Sequence, residues 1–231
     1  MDDFMKYMGS KNRHAKEILA VIPRQRDQIW VEPFVGGANV IDKVDNLRIG
    51  ADINSYLIIM WKALQYGWIP PENISEDEYY SIRDLYNYKM WQPALYAFVG
   101  IACSFGAKWW GGYARSKTRN YCRESRDNVL RQIPKLQNVH FVCADYRHLY
   151  IPPKSLIYCD PPYMNATSYH PRFDSRLFWQ WCDRKVREGH RVYVSEHTAP
   201  SDWKCIWDKT VSYSVKKEAI TKGIERLFTK E

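Results

Sequence analysis

The chain alternates between short apolar runs and longer segments with a helical spacing of apolar residues. Five nearly continuous apolar runs end in polar or acidic residues, at 28–34, 47–53, 139–145, 156–160 and 191–197. Runs of this kind fit strands that are buried on both faces of a parallel sheet. Helical signals occur at 10–22, with Ser10 as N-cap, and at 38–44, 55–66 and 174–188, the last ended by Gly189. Strands that alternate with helices predict an α/β fold with a doubly wound, mostly parallel sheet.

One long stretch interrupts this alternation. Residues 67–137 are mostly helix-like and contain an aromatic, basic and glycine-bearing segment, SFGAKWWGGYARSK, at 104–117. We interpret the stretch as a mainly helical insertion between two strands of the sheet. The predicted organisation is therefore an α/β domain built from 1–66 and 138–231, with an inserted subdomain at 67–137.

Length and composition fit a single soluble globular unit with an insertion. The chain has 231 residues, of which 45% are hydrophobic and 26% charged. No apolar run approaches the roughly 20 residues that a membrane-spanning helix needs. The first residues, MDDFMKYMGSK, lack the apolar region of a signal peptide, which predicts a cytoplasmic protein. The six cysteines and six histidines are scattered without the spacing of a zinc site, which predicts free, mostly buried thiols and no metal.

The charge balance is basic, with 34 Lys and Arg against 26 Asp and Glu, a net charge of +8. A basic balance alone is shared by ribosomal, nucleic-acid-binding and anionic-membrane-binding proteins. Most of the excess lies in one stretch, at 105–135, where eight cationic residues stand against two acidic ones. This concentration predicts that the insertion faces a polyanion.

Polar residues at the predicted strand ends form a coherent set. The first strand runs into a glycine turn, EPFVGGA at 32–38, which lets the backbone come close to a ligand. Asp52 ends the second strand 18 positions after Phe34. An acidic residue at that offset commonly accepts hydrogen bonds from the ribose hydroxyls of a nucleoside cofactor. The turn and Asp52 together predict a nucleoside-cofactor site, although a glycine turn alone also serves as a simple strand-to-helix link.

The sharpest local signal is the segment Asp160-Pro161-Pro162-Tyr163, directly after the apolar run LIYC. Two consecutive prolines fix two φ angles and remove two backbone donors, so the segment is stiff and its carbonyls are open acceptors. It suits a flat ring with an exocyclic amino group, stacked on Tyr163, with its amino protons bonded to Asp160 and the Pro161 carbonyl. The competing interpretation is a loop stiffened by proline.

Taken together, these motifs resemble the Dam-type DNA adenine N6-methyltransferase family. MKYMGSK, VEPFVGGANV, ADIN, DPPY and ERLFTK occur in the family's order, and the resemblance spans nearly the whole chain except 67–137, where it is weakest. The resemblance implies the cofactor S-adenosylmethionine. It assigns the catalytic role to Asp160, Pro161, Pro162 and Tyr163, and it assigns cofactor contacts to Tyr7, Lys11, Phe34, Gly36, Asp52, Asp145 and Asp160. The chain departs from the family at Tyr7, where Trp is frequent, and at Ala38, where many members have Gly; both departures bear on cofactor affinity.

The resemblance also implies double-stranded DNA as the partner and the insertion as the target-recognition part. Aromatic residues interleaved with cations favour a DNA-facing hairpin, and the same aromatic residues would equally fit the core of a small subdomain. The candidate DNA-binding residues are Lys108, Trp109, Trp110, Arg115, Lys117, Arg119 and Arg123. The recognition sequence, a cognate nuclease and the oligomeric state stay open, and a monomer is compatible with the sequence.

The implied reaction is methyl transfer to N6 of a flipped-out adenine, without a metal or a covalent enzyme intermediate. An Asp with the ordinary pKa of about 3.9 is ionised at neutral pH and would stabilise positive charge on the amine. Three alternatives remain open at this point. The first is cytosine N4 methylation, for which Ser is more usual at position 160. The second is methylation of RNA or of a protein amide, and enzymes that methylate protein glutamine more usually have Asn at that position. The third is a DNA-binding module that has lost catalysis.

Overall fold

The computed structural model describes residues 4–25, 27–45, 47–88, 92–162, 173–216 and 219–230, with the backbone alone at 212–216 and 219–222. Seven strands lie within this part of the chain: β1 Trp30–Glu32, β2 Arg48–Asp52, β3 Val139–Cys143, β4 Leu156–Cys159, β5 Arg191–Glu196, β6 Lys204–Lys216 and β7 Ala219–Thr229. The α-helices there are α1 Ala15–Val21, α2 Ser55–Gln65, α3 Glu76–Asn87, α4 Pro93–Ala102, α5 Tyr121–Leu136 and α6 Ser175–Arg187.

The seven strands form one mixed sheet in the order β3-β2-β1-β4-β5-β7-β6. The first five strands are parallel, and β7 runs antiparallel to both of its neighbours, β5 and β6. The chain order reverses between β1 and β4, which is the switch point of the sheet. The predicted doubly wound, mostly parallel sheet is confirmed.

Helices cover both faces of the sheet because alternate strand residues point to opposite sides. Trp30, Phe141 and Tyr158 pack on one face, together with α1, α2, α4 and α5. Val31 and Ile157 pack on the other face, against α6 and the segment after β3. The result is a three-layer arrangement of helices, sheet and helices.

The predicted strands and helices are present, except that two of the predicted helices are shorter than expected. All five predicted strands are present, and α6 begins after an N-cap, Asp174, whose side chain accepts from the Leu177 N–H. The first helix begins at Ala15, so Ser10 is not its N-cap; the Ser10 hydroxyl accepts from Asn39 Nδ2 instead. The helix predicted at 38–44 is only a 3₁₀ turn over Ile41–Lys43.

The insertion is mainly helical, as predicted, and contains α3, α4 and α5. Helices α4 and α5 contribute buried residues such as Phe98 and Val129 to the same core that α1 and α2 form on the sheet. The division of the chain into an α/β domain and a separate recognition subdomain therefore stays a prediction.

All six cysteines are free thiols, four of them buried, while Cys143 and Cys205 are exposed. No helix among the described residues is long and apolar enough to cross a membrane.

Candidate active site

The carboxyl ends of β1, β2 and β4 bring the acidic residues of the sequence motifs to one edge of the sheet. Glu32 is the last residue of β1, Asp52 the last of β2, and Asp160 directly follows β4. Strands β1 and β4 are adjacent at the point where the strand order reverses. This is where ligands bind in open α/β sheets.

Asp52 is bonded directly to the glycine turn. Its carboxylate accepts from the Gly36 N–H at 3.1 Å and from the Asn54 N–H at 2.9 Å. Burial raises the pKa of Asp52, and these backbone N–H groups oppose the rise. Gly36 itself has φ +46°, a left-handed conformation that favours glycine, and its carbonyl accepts from the Trp61 indole at 3.0 Å. The structure thus brings together the two residues that the sequence proposed as parts of one cofactor site.

The Tyr7 ring lies directly on the same turn. A Cβ on Gly36 would be 2.9 Å from the Tyr7 ring, and a Cβ on Gly37 would be 2.7 Å from the Tyr7 Cβ. Both glycines are therefore needed for this close approach. Tyr7 therefore lies beside Gly36, and its contact with the cofactor stays a prediction.

Phe34 and Asp145 lie at the same edge of the sheet but have other partners. The Phe34 ring packs with Tyr146 and Phe178, with ring centroids 5.3 and 5.7 Å apart. The Asp145 carboxylate accepts two bonds from the Arg147 guanidinium, at 2.9 and 2.6 Å, which lower the pKa of Asp145. The residue before it, Ala144, is connected to Asp52 through the backbone, because the Ala144 N–H donates to the Asp52 carbonyl at 3.1 Å.

Asp160 belongs to a largely buried charge cluster in which Lys11 lies between Asp160 and Glu225. The Lys11 ammonium donates to Asp160 Oδ1 at 2.8 Å and lies 3.7 Å from Glu225 Oε2. The Lys11 side chain is 4% exposed and that of Asp160 21%, so the aspartate is the member of the pair that reaches the surface. Burial raises the pKa of Asp160, Lys11 opposes the rise, and Glu225 adds to it. Lys11 therefore stabilises the ionised carboxylate in a partly desolvated position.

The stiff segment after β4 is described only in part. Pro161 is buried and Pro162 half-buried, directly after Asp160. Tyr163, the predicted stacking residue, lies outside the described residues.

Two buried acids at the site were not singled out by sequence reasoning. Glu225 lies on β7, and its motif ERLFTK was visible in the sequence although the strand was not predicted. Glu32 accepts from the Trp30 indole at 2.9 Å, and burial raises its pKa well above the ordinary range. Its signal was the acidic residue at the end of a fully buried strand.

The aromatic residues of the insertion pack into the protein. Trp110 lies against Gly100, where a Cβ would be 2.9 Å from the indole, and its ring centroid is 5.5 Å from that of Tyr86. Trp109 contacts Tyr56 and Tyr86, with centroids 6.0 and 5.9 Å apart. Both tryptophans are half-buried, which favours the packed-core interpretation of these two residues.

Three of the candidate DNA-binding residues, Arg115, Arg119 and Arg123, are paired with acids, while Lys108 and Lys117 are exposed. Arg115 is bonded to Glu76, Arg119 to Glu124 at 2.8 Å between Nε and Oε1, and Arg123 to Glu72 at 2.8 Å. Glu72 and Glu76 come from outside 105–135, so the excess charge counted along that stretch is partly neutralised in three dimensions.

The fold and the position of the site define a doubly wound α/β protein with an acidic ligand site at the switch point of its sheet. The sequence profile of the D12 class N6 adenine-specific DNA methyltransferases matches residues 7–222. The chain belongs to this family, and its reaction is the adenine N6 methylation considered from the sequence. Two curated relatives, both called DNA adenine methylase, come from the Classical Ogawa 395 and El Tor Inaba N16961 strains of Vibrio cholerae serotype O1. Each is 29% identical over 196 residues, which cover 72% of this chain and 69% of the relative.

A methyltransferase of this family needs a methyl donor and acts on DNA. In the part of the chain that the structure describes, no group of three His, Cys, Asp or Glu residues is arranged to hold a metal ion.

Proposed function

We propose that the methyl donor is S-adenosylmethionine, held by the carboxyl ends of β1 and β2, and that Asp160 is the catalytic carboxylate. The observation that carries the proposal is the bond between Asp52 and the Gly36 N–H, which joins an acidic strand end to a glycine turn. Each carboxylate oxygen has two lone pairs, so Asp52 keeps acceptor capacity for the hydroxyls of a ribose. Tyr7 and Phe34 supply aromatic surface beside the same turn. When bound, the cofactor supplies an electrophilic methyl group.

Asp160 and the Pro161 carbonyl would receive the target amine. Adenine inside a duplex is out of reach, so the base must flip out at a cost of a few kcal/mol, and stacking on Tyr163 would offset part of that cost. The N6 lone pair is delocalised into the ring. Hydrogen bonds from N6 to Asp160 and to Pro161 favour a pyramidal nitrogen, and the carboxylate stabilises the positive charge that develops on it. The remaining contribution is alignment of the amine with the methyl group.

Lys11 acts on Asp160 in this proposal. The sequence resemblance assigned it a cofactor contact, whereas its ammonium is bonded to Asp160 Oδ1. Among the described residues no other side chain is bonded to this carboxylate, so Oδ2 is available to the N6 amine. Lys11 thereby keeps the carboxylate ionised while it leaves one oxygen for the substrate.

Asp52→Ala is the test of the cofactor site. The substitution removes charged acceptors from the ribose, which are worth about 1.5–3 kcal/mol, or roughly ten- to a hundredfold in the Kd for S-adenosylmethionine. Calorimetric titration of the cofactor measures the effect. Asn54→Ala is the matched control, because it removes the N-cap of α2, which accepts from the Tyr56 N–H at 3.1 Å, without removing the acidic group. Wild-type affinity in a folded Asp52→Ala protein would contradict the assignment.

We propose that double-stranded DNA contacts the exposed face of the insertion through Lys108, Arg115, Lys117, Arg119 and Arg123. The pairing of three of these cations with acids means that each arginine exchanges or shares its carboxylate when it meets a phosphate. In this proposal Trp109 and Trp110 pack beneath the DNA-facing surface and do not contact DNA, since their rings pack against Tyr86.

Replacing Arg115, Lys117 and Arg119 together by Ala is expected to flatten the salt dependence of DNA binding. Each phosphate contact contributes roughly 0.9 to the slope of log affinity against log salt, so the slope should change by up to about three units. Fluorescence anisotropy across a salt series measures it. Glu76→Gln is the opposite control, because it releases Arg115 and should strengthen binding. If the slope, the site preference and the Glu76→Gln affinity all equal wild type, DNA binds elsewhere.

A further inference from the structure

Gln132 belongs to α5 in the insertion, yet its side chain is wholly buried beneath the glycine turn. It is 0% exposed. Its Oε1 accepts from the Met5 N–H at 2.8 Å, which fixes the orientation of the amide group. The Nε2 atom therefore faces the turn.

Four oxygen atoms surround this nitrogen. Gln132 Nε2 lies 3.2 Å from the carbonyl oxygens of Gly37 and Ala38, 3.3 Å from Asn39 Oδ1 and 3.2 Å from Asp42 Oδ2. An amide nitrogen carries two hydrogens, so these acceptors share them. One side chain thus bonds to three consecutive residues of the segment that follows Gly36.

The turn needs such support because its backbone is unusual. Gly36 has φ +46° and Ala38 has φ +55°, and a left-handed conformation costs a residue with a side chain roughly 1–2 kcal/mol. Strained residues persist only where the surrounding structure holds them. Buried carbonyls in an irregular segment also need donors, and Gln132 supplies a donor to Gly37 and Ala38.

We propose that Gln132 is a positioning residue for the cofactor-binding turn, provided by the insertion. The proposal rests on the proposed function, because it takes the turn to be part of the S-adenosylmethionine site. Gln132 acts through the turn. It donates to the Gly37 and Ala38 carbonyls, and this fixes the turn so that the Gly36 N–H donates to Asp52. The bond to Met5 fixes the start of the segment that carries Tyr7.

The same helix connects this contact to the predicted DNA face. Glu124, two turns before Gln132 in α5, accepts from Lys6 at 3.1 Å and from Arg119. Lys6 and Met5 are neighbours, so the N-terminal segment is bonded to α5 at two places. The insertion and the proposed cofactor site are therefore joined by polar contacts, of which an apolar residue at position 132 would break those of Gln132 and leave the Lys6–Glu124 pair in place.

Gln132→Met tests the proposal, because Met keeps the length of the side chain and removes its donor and acceptor. The Kd for S-adenosylmethionine is expected to rise by at least about tenfold, a loss equivalent to one or two hydrogen bonds. The KM for the cofactor should rise in parallel, with little change in DNA affinity or in the rate at saturating cofactor. Gln65→Met is the matched control, since Gln65 Nε2 also donates to carbonyls, those of Leu136 at 2.7 Å and Val139 at 2.9 Å, away from the turn.

Gln132→Glu gives a second measurement that does not depend on the Met variant. A carboxyl at this wholly buried position lies beside Asp42, so burial and the neighbouring negative charge raise its pKa. Cofactor affinity should be lost as the pH rises through that raised pKa, because the carboxylate cannot donate to the turn, and it should recover as the pH is lowered, because the protonated carboxyl regains one donor. A purely structural role would lower the melting temperature of both the Gln65→Met and the Gln132→Met protein. In that case the Gln132→Glu protein would show no recovery of cofactor affinity at low pH.

The outcomes separate this inference from the proposed function. Folded Gln132 variants with wild-type cofactor Kd, alongside weakened binding by Asp52→Ala, would overturn the positioning role and leave the cofactor site intact. Wild-type cofactor affinity in both the Asp52 and Gln132 variants would instead contradict the cofactor site itself. Weakened binding in both, with Gln65→Met unchanged, supports the positioning role.

Discussion

Asp160→Asn is expected to lower the rate of methyl transfer by at least about 10²–10³-fold, the range seen when one group that stabilises transition-state charge is removed. The amide has the shape of the carboxylate but not its charge. Lys11 donates to Oδ1, so the amide oxygen would turn toward Lys11 and the amide NH2 would take the position of Oδ2. A donor would then face the donor groups of the N6 amine, so the hydrogen bond from N6 to residue 160 and the charge stabilisation would both be lost.

Single-turnover kinetics with excess enzyme measures this effect without a contribution from product release. DNA affinity should stay close to wild type, because non-specific binding depends mainly on phosphate contacts. Asp183→Asn is a matched control: it alters an acid outside the predicted site, one whose carboxylate is bonded to the Trp203 indole and to Lys230. An Asp160→Asn rate near that of the wild type would show that the carboxylate is not catalytic.

Much of the fold was predictable because the strongest sequence signals are local. Each of the first five strands lies in a mostly apolar run with a polar residue at its end, and Asp174 and Gly189 mark the ends of the α6 segment. The β6–β7 hairpin was not predicted. Its strands mix Lys, Asp, Ser and Thr with apolar residues, and β7 enters the sheet between β5 and β6 only through long-range pairing. Glu225 therefore could not be placed beside Lys11 from the sequence.

The site was predictable in its composition but not in its pairing. Gly36 and Asp52 meet as the motif spacing suggested. The segment after Gly36 is not helical, because Ala38 is left-handed and Gln132 bonds to it from a different helix. A spacing rule cannot show such a contact, since it depends on the packing of α5 against the turn.

Charge counting along the chain failed to show pairing for the same reason. The count over 105–135 included the cations of the stretch but not acids elsewhere in the chain. Glu76 and Glu72, just outside it, pair with Arg115 and Arg123. The pairs form only when α3 lies beside the loop that carries Arg115 and the segment before α3 lies beside α5, so the surface charge depends on the fold.

Lys11→Met is expected to move the acid limb of the pH–rate profile to higher pH. In the proposed mechanism the carboxylate form of Asp160 is the active one, so the rate should fall as the pH drops through its pKa. Burial already raises that pKa, and Lys11 opposes the rise through its charge and its hydrogen bond. Without Lys11, burial and the charge of Glu225 act together in the same direction. Below the limb the rate falls about tenfold per pH unit, so the variant should be slow at a pH where the wild type is fully active.

The measurement is the methylation rate at saturating cofactor and DNA across pH, with folding checked at each point. Lys11→Arg keeps the positive charge and should leave the limb near its wild-type position. Glu225→Gln should move it to lower pH, because the negative charge that helps to raise the pKa of Asp160 is removed. Opposite shifts for the Lys11 and Glu225 variants would be hard to obtain from general destabilisation, which moves both in one direction. A Lys11→Met limb at or below the wild-type position would show that Lys11 does not set the ionisation of Asp160, and would return Lys11 to the cofactor contact that the sequence motif first implied.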